Sequence, residues 1–420
     1  MTRTVSLRRV VVTGIGLVTP VGLNTEETWN ALLEGRNGID RITGIDTTGF
    51  SIHIAGEVKG LNPVDYMDAK DAKRYDRFVH FAMAAARMAL SDSKLDLDSC
   101  DRNRCACIIG SGVGGILSAE DQMQRFMEKG PSRISPLTIP KIMVNCASGL
   151  IAIDMGLKGI NYATVSACAS GAHAIGLALR HLQWGEADVA LTGGAEAGVT
   201  ILGLGGFANM MALSARNDDP SHASRPFDKE RDGFVIGEGA GILVLETLEN
   251  AVRRGARVYA ELLGYGFTDD AYHITAPEPS GDGSARAMRL ALEDAGRPPE
   301  EVDYINAHGT STLYNDRTET MAIKIALGEA TARRVKINST KSMIGHLLGA
   351  AAGVECCVTA LSIYHQKIHG TSNYTTPDPD CDLDYSPNRS QDHRIRLALS
   401  NSLGFGGHNA ILCLGRHVAP

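Results

Sequence analysis

Three side chains with nucleophilic or acid–base chemistry stand at junctions between predicted strands and helices. Cys168 lies in VSACASGAHAIG, between an apolar strand and a helix that opens with small residues. The free amides and the positive dipole end of a helix N-terminus favour thiolate, so we expect a lowered Cys168 pKa and a nucleophilic sulfur. His308 ends the strand of YINAHGTST, and His346 precedes the small-residue helix of STKSMIGHLLGAAAG. Together these three residues predict covalent catalysis.

Two glycine-rich motifs lead to different predictions. NSLGFGGHN surrounds Phe405 with glycines, which permit backbone conformations closed to other residues, and we predict a loop that can move. GSGVGG, from Gly110 to Gly115, satisfies the dinucleotide-binding pattern after the strand CIIG. It does not open a β-α-β unit, however, and no acidic residue ends a strand about 20 positions later, as a dinucleotide site requires. We therefore predict no nucleotide site there.

The elements that position these residues follow an α/β pattern. Short apolar segments, among them RRVVVTGIG, CACIIGSG, DVALTGGAE, AGILVLET and DYINAHG, alternate with helical patterns of roughly 10 to 20 residues. This alternation predicts parallel strands joined by helical crossovers. The clearest predicted helices are AKRYDRFVHFAMAAARMALSDS, CASGAHAIGLALRHLQWG, GSARAMRLALEDAG and GAAAGVECCVTALSIYHQ.

The chain also contains a weak echo between its two halves. VVVTGIGLVTPVG near the start and INAHGTSTLYND later both run from a strand through glycine into a threonine-rich turn. We therefore predict two units, divided after AGILVLETLENAVRRGA. Residues 1–255 would carry Cys168, and residues 256–420 would carry His308, Lys341, His346 and the glycine-rich loop.

Composition and charge exclude several classes of protein. A formal charge of −7 gives no attraction to phosphate backbones or anionic lipid, so we predict neither nucleic acid nor membrane as a partner. Nine scattered cysteines are typical of a reducing cytoplasm. Arg8 and Arg9 before VVVTGIGLVTPVGL imitate a secretory signal, but threonines and a proline interrupt that run, and TEETWNALLEG after it is typical of a capped helix. No stretch reaches the roughly 18 apolar residues of a membrane span.

Eight motifs in order resemble the β-ketoacyl-acyl-carrier-protein synthases, the ketosynthase family of the thiolase superfamily, and most of all their type II elongating condensing enzymes. The motifs are VVVTGIGLVTPVG, IGSGVGG, SACASG, GGAEAG, SRPFDKERDGFVIGEGAG, NAHGTST, STKSMIGHLLGAAAG and NSLGFGGHN. The resemblance implies a five-layer αβαβα fold made of two similar halves. It also implies a homodimer and a decarboxylative Claisen condensation between an acyl group on Cys168 and malonyl-acyl carrier protein. No cofactor is implied, because the phosphopantetheine of the carrier protein holds the substrates.

The same resemblance assigns roles to individual residues. Cys168 corresponds to the acylated nucleophile, and His308 and His346 correspond to the pair that hydrogen-bonds the malonyl thioester oxygen during decarboxylation. Two neutral imidazole donors would stabilise the charge that develops on that oxygen. Lys341 and Glu319 correspond to a supporting charge pair. The other implied roles are the oxyanion hole (backbone amides of Cys168 and Phe405), the phosphopantetheine contacts (Thr310, Thr312), the acyl-chain gate (Phe405), the far end of the acyl pocket across the dimer interface (Val113) and a structural K+ or Na+ site (Asn306, Glu355, Ser400, Asn401).

Several positions depart from the family pattern and leave the substrate open. Leu313 and Tyr314 follow NAHGTST where elongating enzymes often have proline, Leu403 replaces an aromatic residue of the gate, and GGHN replaces the more frequent GGTN. These features lean towards the ketosynthase subunits of polyketide and mycolic-type systems. The alternative to a homodimeric elongating enzyme is therefore a type II polyketide ketosynthase paired with a chain-length-factor subunit. Intact Cys168 disfavours a non-catalytic chain-length subunit, and His346 stands where a degradative thiolase would need a second cysteine.

Overall fold

Strands and helices alternate along residues 6–417, the part of the chain that this computed structural model describes; residues 1–5 and 418–420 lie outside it. The strands are β1 (Val10–Val18), β2 (Ile39–Arg41), β3 (Ile54–Gly56), β4 (Cys105–Gly110), β5 (Asn161–Thr164), β6 (Val189–Ala197), β7 (Glu238–Thr247), β8 (Ala260–Asp269), β9 (Tyr304–Asn306), β10 (Lys336–Asn338), β11 (Lys367–Ile368), β12 (Gln391–Asp392), β13 (Leu397–Gly404) and β14 (His408–Gly415). The α-helices are α1 (Thr25–Glu34), α2 (Ala69–Ala72), α3 (Arg77–Ser93), α4 (Ile116–Lys129), α5 (Thr138–Ile142), α6 (Cys146–Met155), α7 (Ser170–Gln183), α8 (Ile201–Asn209), α9 (Leu248–Arg253), α10 (Asp282–Asp294), α11 (Leu313–Leu327), α12 (Glu329–Ala332), α13 (Lys341–Ile344) and α14 (Ala351–His365).

The large sheet contains two sets of five strands with the same internal order. Across the sheet the strands run β10-β9-β13-β14-β8-β1-β7-β6-β4-β5. Numbered within its own set, each set reads 3-2-4-5-1 from the outer edge to the middle. The two sets meet where β1 pairs antiparallel with β8. This repetition is the two-half arrangement that the sequence predicts.

The outer strands of each set are parallel, whereas the inner ones are antiparallel. β4 runs parallel to β5 and β6, and β9 runs parallel to β10 and β13. The pairs β6–β7, β13–β14, β1–β7 and β8–β14 are antiparallel. The prediction of parallel strands is therefore wrong for the inner strands. For β13 and β14 the reason is the short connection of residues 405–407, which can only return the chain antiparallel.

Helices α7 and α14 pack against each other between the two strand sets. The core around them draws buried residues from both sets, among them Ile108 and Leu243 of the first and Leu412 of the second. Helices α3 and α6 cover the outer face of the first set, and α10 and α11 cover that of the second. The order of layers is therefore αβαβα, as the resemblance implies.

The central helix α14 is mostly apolar and is buried on every face because it is surrounded by protein. All residues from Ala351 to Ile363 are buried. The segment Leu348–His365 has the length and mean hydropathy of a membrane span, but 89% of it is buried inside the molecule. Its composition is explained by its position in the core.

Most of the helices predicted from apolar periodicity are present, with one interruption. CASGAHAIGLALRHLQWG, GSARAMRLALEDAG and GAAAGVECCVTALSIYHQ contain α7, α10 and α14, respectively. The predicted helix AKRYDRFVHFAMAAARMALSDS is broken, because α2 ends at Ala72 and α3 begins at Arg77. The carboxylate of Asp76 caps α3 by accepting from the amide of Phe78, and its other oxygen accepts from the amide of Ser118 at 2.7 Å.

The N-terminal apolar run forms part of the sheet. VVVTGIGLV is β1, and all of its residues are buried between β7 and β8. The following segment forms α1, as predicted. Its N-cap Asn24 accepts from the amide of Glu27, and the helix ends at Gly35, whose φ of 72° is the left-handed conformation typical of a helix C-terminus.

Candidate active site

Cys168 occupies a tight turn at the beginning of α7. The amide of Ala169 donates to the carbonyl of Ser166 at 3.0 Å, and Ala167 has a φ of 49°, in the left-handed region. Gly404, at the end of β13, packs closely against this turn, since a Cβ there would lie 3.2 Å from the Cys168 nitrogen. Only glycine fits at 404 without moving the nucleophile.

Cys168, His308 and His346 line a common cavity of about 410 Å³. The elements that carry them come from both strand sets, since Cys168 precedes α7, His308 follows β9, and His346 lies between α13 and α14. The residues predicted to bind substrate line the same cavity; they are Val113, Thr310, Thr312 and Phe405. The structure therefore brings together the predicted catalytic and substrate-binding side chains.

The Cys168 thiol is controlled by burial more than by the helix N-terminus. Burial raises the pKa of Cys168 to about 12, whereas the charge of Lys341 and a hydrogen bond from the backbone of Phe405 lower it. The expectation of a lowered pKa is therefore wrong for the substrate-free protein. The sequence locates the helix end beside the sulfur, but it does not reveal that the sulfur is almost fully removed from water. The Phe405 amide nevertheless faces the sulfur, where an oxyanion hole is predicted.

The two histidine rings lie edge to face, with centroids 5.2 Å apart and planes at 85°. The Nδ1 atom of His346 accepts from the amide of Leu348 at 3.3 Å, and the Nδ1 atom of His308 faces the Lys341 ammonium, also at 3.3 Å. Each Nδ1 therefore acts as an acceptor, which assigns the ring proton to Nε2. Burial first, and the charge of Lys341 second, lower the pKa of both imidazoles well below 6.5. Both are neutral donors at pH 7.

Lys341 pairs with Glu355, so the predicted pairing of Lys341 with Glu319 is wrong. The Lys341 Nζ lies 2.5 Å from Glu355 Oε1 and donates to the carbonyl of His308 at 2.7 Å. Glu319 instead accepts from the backbone amides of His308 and Gly309, both at 2.8 Å. The reason is the tertiary packing, which sets α14 against the lysine and α11 against the histidine turn. Glu319 holds the backbone of His308, while Lys341 acts on its ring.

The threonine turn and the glycine-rich loop both form parts of the cavity wall. The hydroxyls of Thr310 and Thr312 are 3.0 Å apart, and both side chains line the cavity. The ring of Phe405 lies 6.3 Å from that of Phe207, centroid to centroid. The next residues, 406 and 407, are glycines with φ of 86° and 82°, so the loop is built from a backbone conformation that other residues rarely adopt.

The residues of the predicted cation site share an unusual property. Three of their buried oxygens, Glu355 Oε2, Ser400 Oγ and Asn401 Oδ1, have no hydrogen-bond partner among the described residues. The fourth member, Asn306, pairs with Ser400 between β9 and β13 and donates to the backbone carbonyl of Glu355. Buried oxygens without partners are costly, and a hard cation prefers oxygen ligands. This donor set fits K+ or Na+.

Among the cavity residues outside the predicted site, Glu196 and Phe234 have the most direct contacts with it. Glu196 ends the apolar part of β6 and is completely buried, although it lines the cavity. Its signal in the sequence is the glutamate that ends DVALTGGAE, a segment that predicts a strand and carries part of a family motif. Phe234 packs against His346 with ring centroids 5.4 Å apart. It lies in SRPFDKERDGFVIGEGAG, where no local pattern distinguishes it from a core residue.

Family models and curated relatives match nearly the whole chain. The model "Beta-ketoacyl synthase, N-terminal domain" matches residues 7–251, and "Beta-ketoacyl synthase, C-terminal domain" matches residues 259–375. A "3-oxoacyl-[acyl-carrier-protein] synthase 2" of Synechocystis sp. is 52% identical over 410 residues, which are 98% of this chain and 98% of that protein. The protein of the same name from Staphylococcus aureus is 52% identical over 412 residues, covering 98% and 99%.

Solved structures agree with this assignment. The ketosynthase of a type II polyketide synthase, bound to its acyl-carrier protein, has a TM-score of 0.91 and 37% identity, covering 98% of this chain and all of that one. The ishigamide ketosynthase/chain length factor has a TM-score of 0.92 and 38% identity with the same coverage. A β-ketoacyl synthase from Burkholderia phymatum has a TM-score of 0.90 and 34% identity. From its fold, its motifs and these matches, the chain belongs to the β-ketoacyl synthase family.

Proposed function

We propose that this protein is a β-ketoacyl-acyl-carrier-protein synthase of the elongating, type 2 class. The observation that carries the proposal is the meeting of Cys168 with two neutral imidazoles on one cavity. The names of the curated relatives support the same reaction. The reaction joins an acyl thioester to malonyl-carrier and gives β-ketoacyl-carrier and carbon dioxide.

The first half-reaction transfers the acyl group to Cys168. The sulfur attacks the thioester carbonyl, a carbon–sulfur bond to Cys168 forms, and the bond to the carrier thiol breaks. The proton of Cys168 leaves with the carrier thiol. The negative charge on the tetrahedral oxygen is stabilised by the backbone amides of Cys168 and Phe405, and pre-oriented donors of this kind lower such barriers by several kcal/mol (roughly 3 each).

The second half-reaction uses the histidines as donors. The Nε2–H groups of His308 and His346 hydrogen-bond the oxygen of the malonyl thioester, so the bond to carbon dioxide can break with its electron pair moving into an enolate. The enolate carbon attacks the acyl carbonyl on Cys168, and the sulfur leaves. Neither histidine has to lose or gain a full proton in this step, which agrees with their lowered pKa.

We propose acyl carrier protein as the partner that delivers both substrates. Among the described residues that line the cavity, none is a lysine or arginine. Such a wall suits the amide-rich arm of phosphopantetheine better than a phosphorylated nucleotide. Thr310 and Thr312 would hydrogen-bond that arm, and Phe405 would open when the acyl chain enters beside Val113.

We propose a structural K+ or Na+ held by Asn306, Glu355, Ser400 and Asn401. The unpartnered oxygens at this position support it. When bound, the ion would supply positive charge that offsets the carboxylate of Glu355, whose pKa burial raises to about 7. None of the reaction steps above uses the ion.

We propose that the protein is a cytoplasmic homodimer of two-unit chains. β5 is the outermost strand of its set, and its far edge is unpaired within the described chain. Val165 directly follows β5, while Ile153 lies on α6, which packs against β5, and Ile139 lies on α5, which packs against α6. These side chains are 59%, 79% and 63% exposed, and a second copy would cover them. The division into residues 1–255 and 256–420 is supported by the repeated strand order and by the two family models.

All nine cysteines are free, which suits a reducing compartment such as the cytoplasm.

The test is incubation of the purified protein with malonyl-carrier and a panel of acyl-carriers, with products weighed by mass spectrometry. We expect acylation at Cys168 and condensation. Cys168→Ala should abolish acyl transfer, whereas Cys100→Ala, a cysteine outside the site, should leave it unchanged. His308→Ala should slow decarboxylation by about 100-fold and still allow acylation of the thiol. Condensation by Cys168→Ala at the parental rate would end the proposal.

A polyketide ketosynthase acting with a chain-length-factor subunit is the second candidate. Solved structures of ketosynthases of this kind overlap nearly the whole chain, and Leu313 and Tyr314 depart from the elongating pattern. The two candidate functions predict different activities for the protein purified without a partner. An elongating enzyme should purify alone as an active dimer, whereas a subunit of a pair should condense only after its partner is added.

A further inference from the structure

Glu196 is a completely buried carboxylate in the cavity wall that the reaction steps above do not use. Its Oε1 accepts from the hydroxyl of Ser111 at 2.7 Å and from the amide of Val113 at 3.3 Å. Its Oε2 accepts from the amides of Gly112 at 2.5 Å and Gly349 at 3.0 Å. One side chain therefore receives four hydrogen bonds from two separate loops.

The partners show that Glu196 acts as an acceptor at both oxygens. Three of them are backbone amides, which can only donate, and the fourth is a hydroxyl that itself accepts from the amide of Gly114 at 3.2 Å. Burial raises the pKa of Glu196, and the four hydrogen bonds oppose that shift. A carboxylate can accept from every donor around it. A protonated acid would instead point its own O–H at one of those donors and leave that donor without an acceptor.

The two loops touch each other across the Glu196 carboxylate. A Cβ built on Gly349 would lie 2.2 Å from the nitrogen of Gly112 and 2.6 Å from Glu196 Oε2. The first loop follows β4 and belongs to the first strand set, while Gly349 precedes α14 and belongs to the second. The contact therefore joins the two halves of the molecule inside the active site.

Each loop leads directly to a group with a proposed role. Leu348, the residue before Gly349, donates its amide to His346 Nδ1 and so assigns the proton to Nε2 of that ring. Val113, whose own amide Glu196 accepts, lines the cavity on the side proposed for the acyl chain. A shift of the Glu196 carboxylate would thus move His346, through Leu348, and the cavity wall at Val113 together.

We propose that Glu196 is a positioning residue that fixes the orientation of His346 and the acyl-binding wall at Val113 through one shared carboxylate. The inference rests on the proposed condensation, because the effect of His346 is read out in decarboxylation. A residue of this kind changes the rate of the chemical step and the choice of acyl chain. It leaves the nucleophile itself accessible and reactive.

The isosteric change Glu196→Gln tests the proposal with little change of volume. Its amide group must face either the amides of Gly112 and Gly349 or the Ser111 hydroxyl, so at least one donor loses its acceptor. Losing a hydrogen bond to a charged group costs about tenfold to a hundredfold in a rate that depends on it. We expect malonyl decarboxylation to fall by about tenfold in Glu196→Gln and by about a hundredfold in Glu196→Ala. Acyl-carrier selection should shift in both, while alkylation of Cys168 by iodoacetamide should not slow, because the Glu196 charge is one of the causes that raise the Cys168 pKa.

Glu246→Gln is the matched control, because Glu246 is also completely buried and lies on β7 beside the opposite end of β6. It accepts from Asn250 at 2.5 Å and Arg254 at 2.9 Å, away from the cavity. Its loss should lower the melting temperature and leave the decarboxylation rate and chain selection of the folded enzyme unchanged. Equal decarboxylation rates and equal chain selection in Glu196→Gln and Glu246→Gln would overturn this inference and leave the proposed function standing. Failure of the unchanged protein to decarboxylate malonyl-carrier would overturn the proposed function and this inference with it.

Discussion

The two active-site imidazoles have lower pKa values than free histidine for two reasons. Little water is present to solvate a positive charge on the ring, and a donor faces each Nδ1 atom. His308 and His346 face Lys341 and the Leu348 amide, respectively, and both have a pKa well below 6.5. These rings can therefore act as neutral donors at pH 7. Their role follows from contacts that local sequence does not display.

We predict that malonyl decarboxylation is not slowed by histidine protonation between about pH 5.5 and 8, since neither ring takes up a proton in that range. Glu355, with a pKa of about 7, does titrate there, but its protonation leaves the Lys341 charge uncompensated and so favours the neutral rings further. The measurement is the release of carbon dioxide from malonyl-carrier at a series of pH values, with the thioester alone as the control for spontaneous hydrolysis. An ordinary histidine would halve the rate near its pKa of 6.5. Such a halving would contradict the assignment of both rings as neutral donors.

His369 gives a stability prediction with a defined sign. The ring is completely buried, its Nε2 faces the hydroxyl of Thr340 at 3.0 Å, and burial lowers its pKa to about 4. Below pH 6.5 the ring binds a proton in the unfolded chain but not in the folded protein. The free energy of unfolding therefore falls as the pH falls towards 4. The advantage of the unchanged protein over His369→Gln, measured by urea unfolding, should shrink by about 2 kcal/mol between pH 7 and 5. A constant difference would show that the ring titrates normally.

Among the elements, the β13–β14 hairpin is the part of the site best suited to move. Its three-residue connection places Phe405 before two glycines in the left-handed region, and the Phe405 ring is only partly buried. Such a connection can change conformation without breaking the ladder between the two strands.

We predict that Phe405→Ala changes the preferred acyl chain much more than it changes stability. Removing a half-exposed ring costs about 1 kcal/mol, whereas it removes one wall of the entrance to the cavity. Competition among acyl-carriers of different length, read by mass spectrometry, measures the effect. Phe267→Ala, which removes a ring that is 57% exposed and outside the cavity lining, is the control. Unchanged chain preference in Phe405→Ala would remove its role as a gate.

Apolar periodicity predicted the central helices correctly because each has a continuous buried face or, for α14, buried residues throughout. It missed the break before α3, since the cap at Asp76 is supported by the distant amide of Ser118. It also could not choose between Glu319 and Glu355 as the partner of Lys341. Both are buried acids on helices, and only the packing of α11 and α14 decides between them. Motif order predicted residues that share one cavity, while long-range packing sets their hydrogen bonds and pKa values.

At the scale of the whole molecule, the free edge of β5 predicts self-association. Val165 directly follows β5, and Ile153 lies on α6, which packs against β5. Both side chains are exposed, and burying a charge at each position should weaken a dimer by at least about a hundredfold. We expect the unchanged protein to behave as twice its 44.7 kDa chain in light scattering, and Ile153→Glu/Val165→Glu to behave as one chain. Val252→Glu, at a 63% exposed position on α9, should stay dimeric. A monomeric unchanged protein would contradict the prediction.

Cys168 and His346 occupy corresponding places in the two repeated strand sets, each between the third strand of its set and a central helix, α7 or α14, although the short helix α13 also precedes His346. Their separation is therefore fixed where α7 crosses α14, and a Cβ at Gly171 would come within 2.9 Å of the nitrogen of Gly353. A single methyl group at this crossing would act as a wedge and draw sulfur and imidazole apart, although neither had been altered. The distance between the Cys168 sulfur and the His346 ring is thus set by the packing of α7 on α14. A substitution at this helix crossing could change that distance by fractions of an ångström without contacting a substrate.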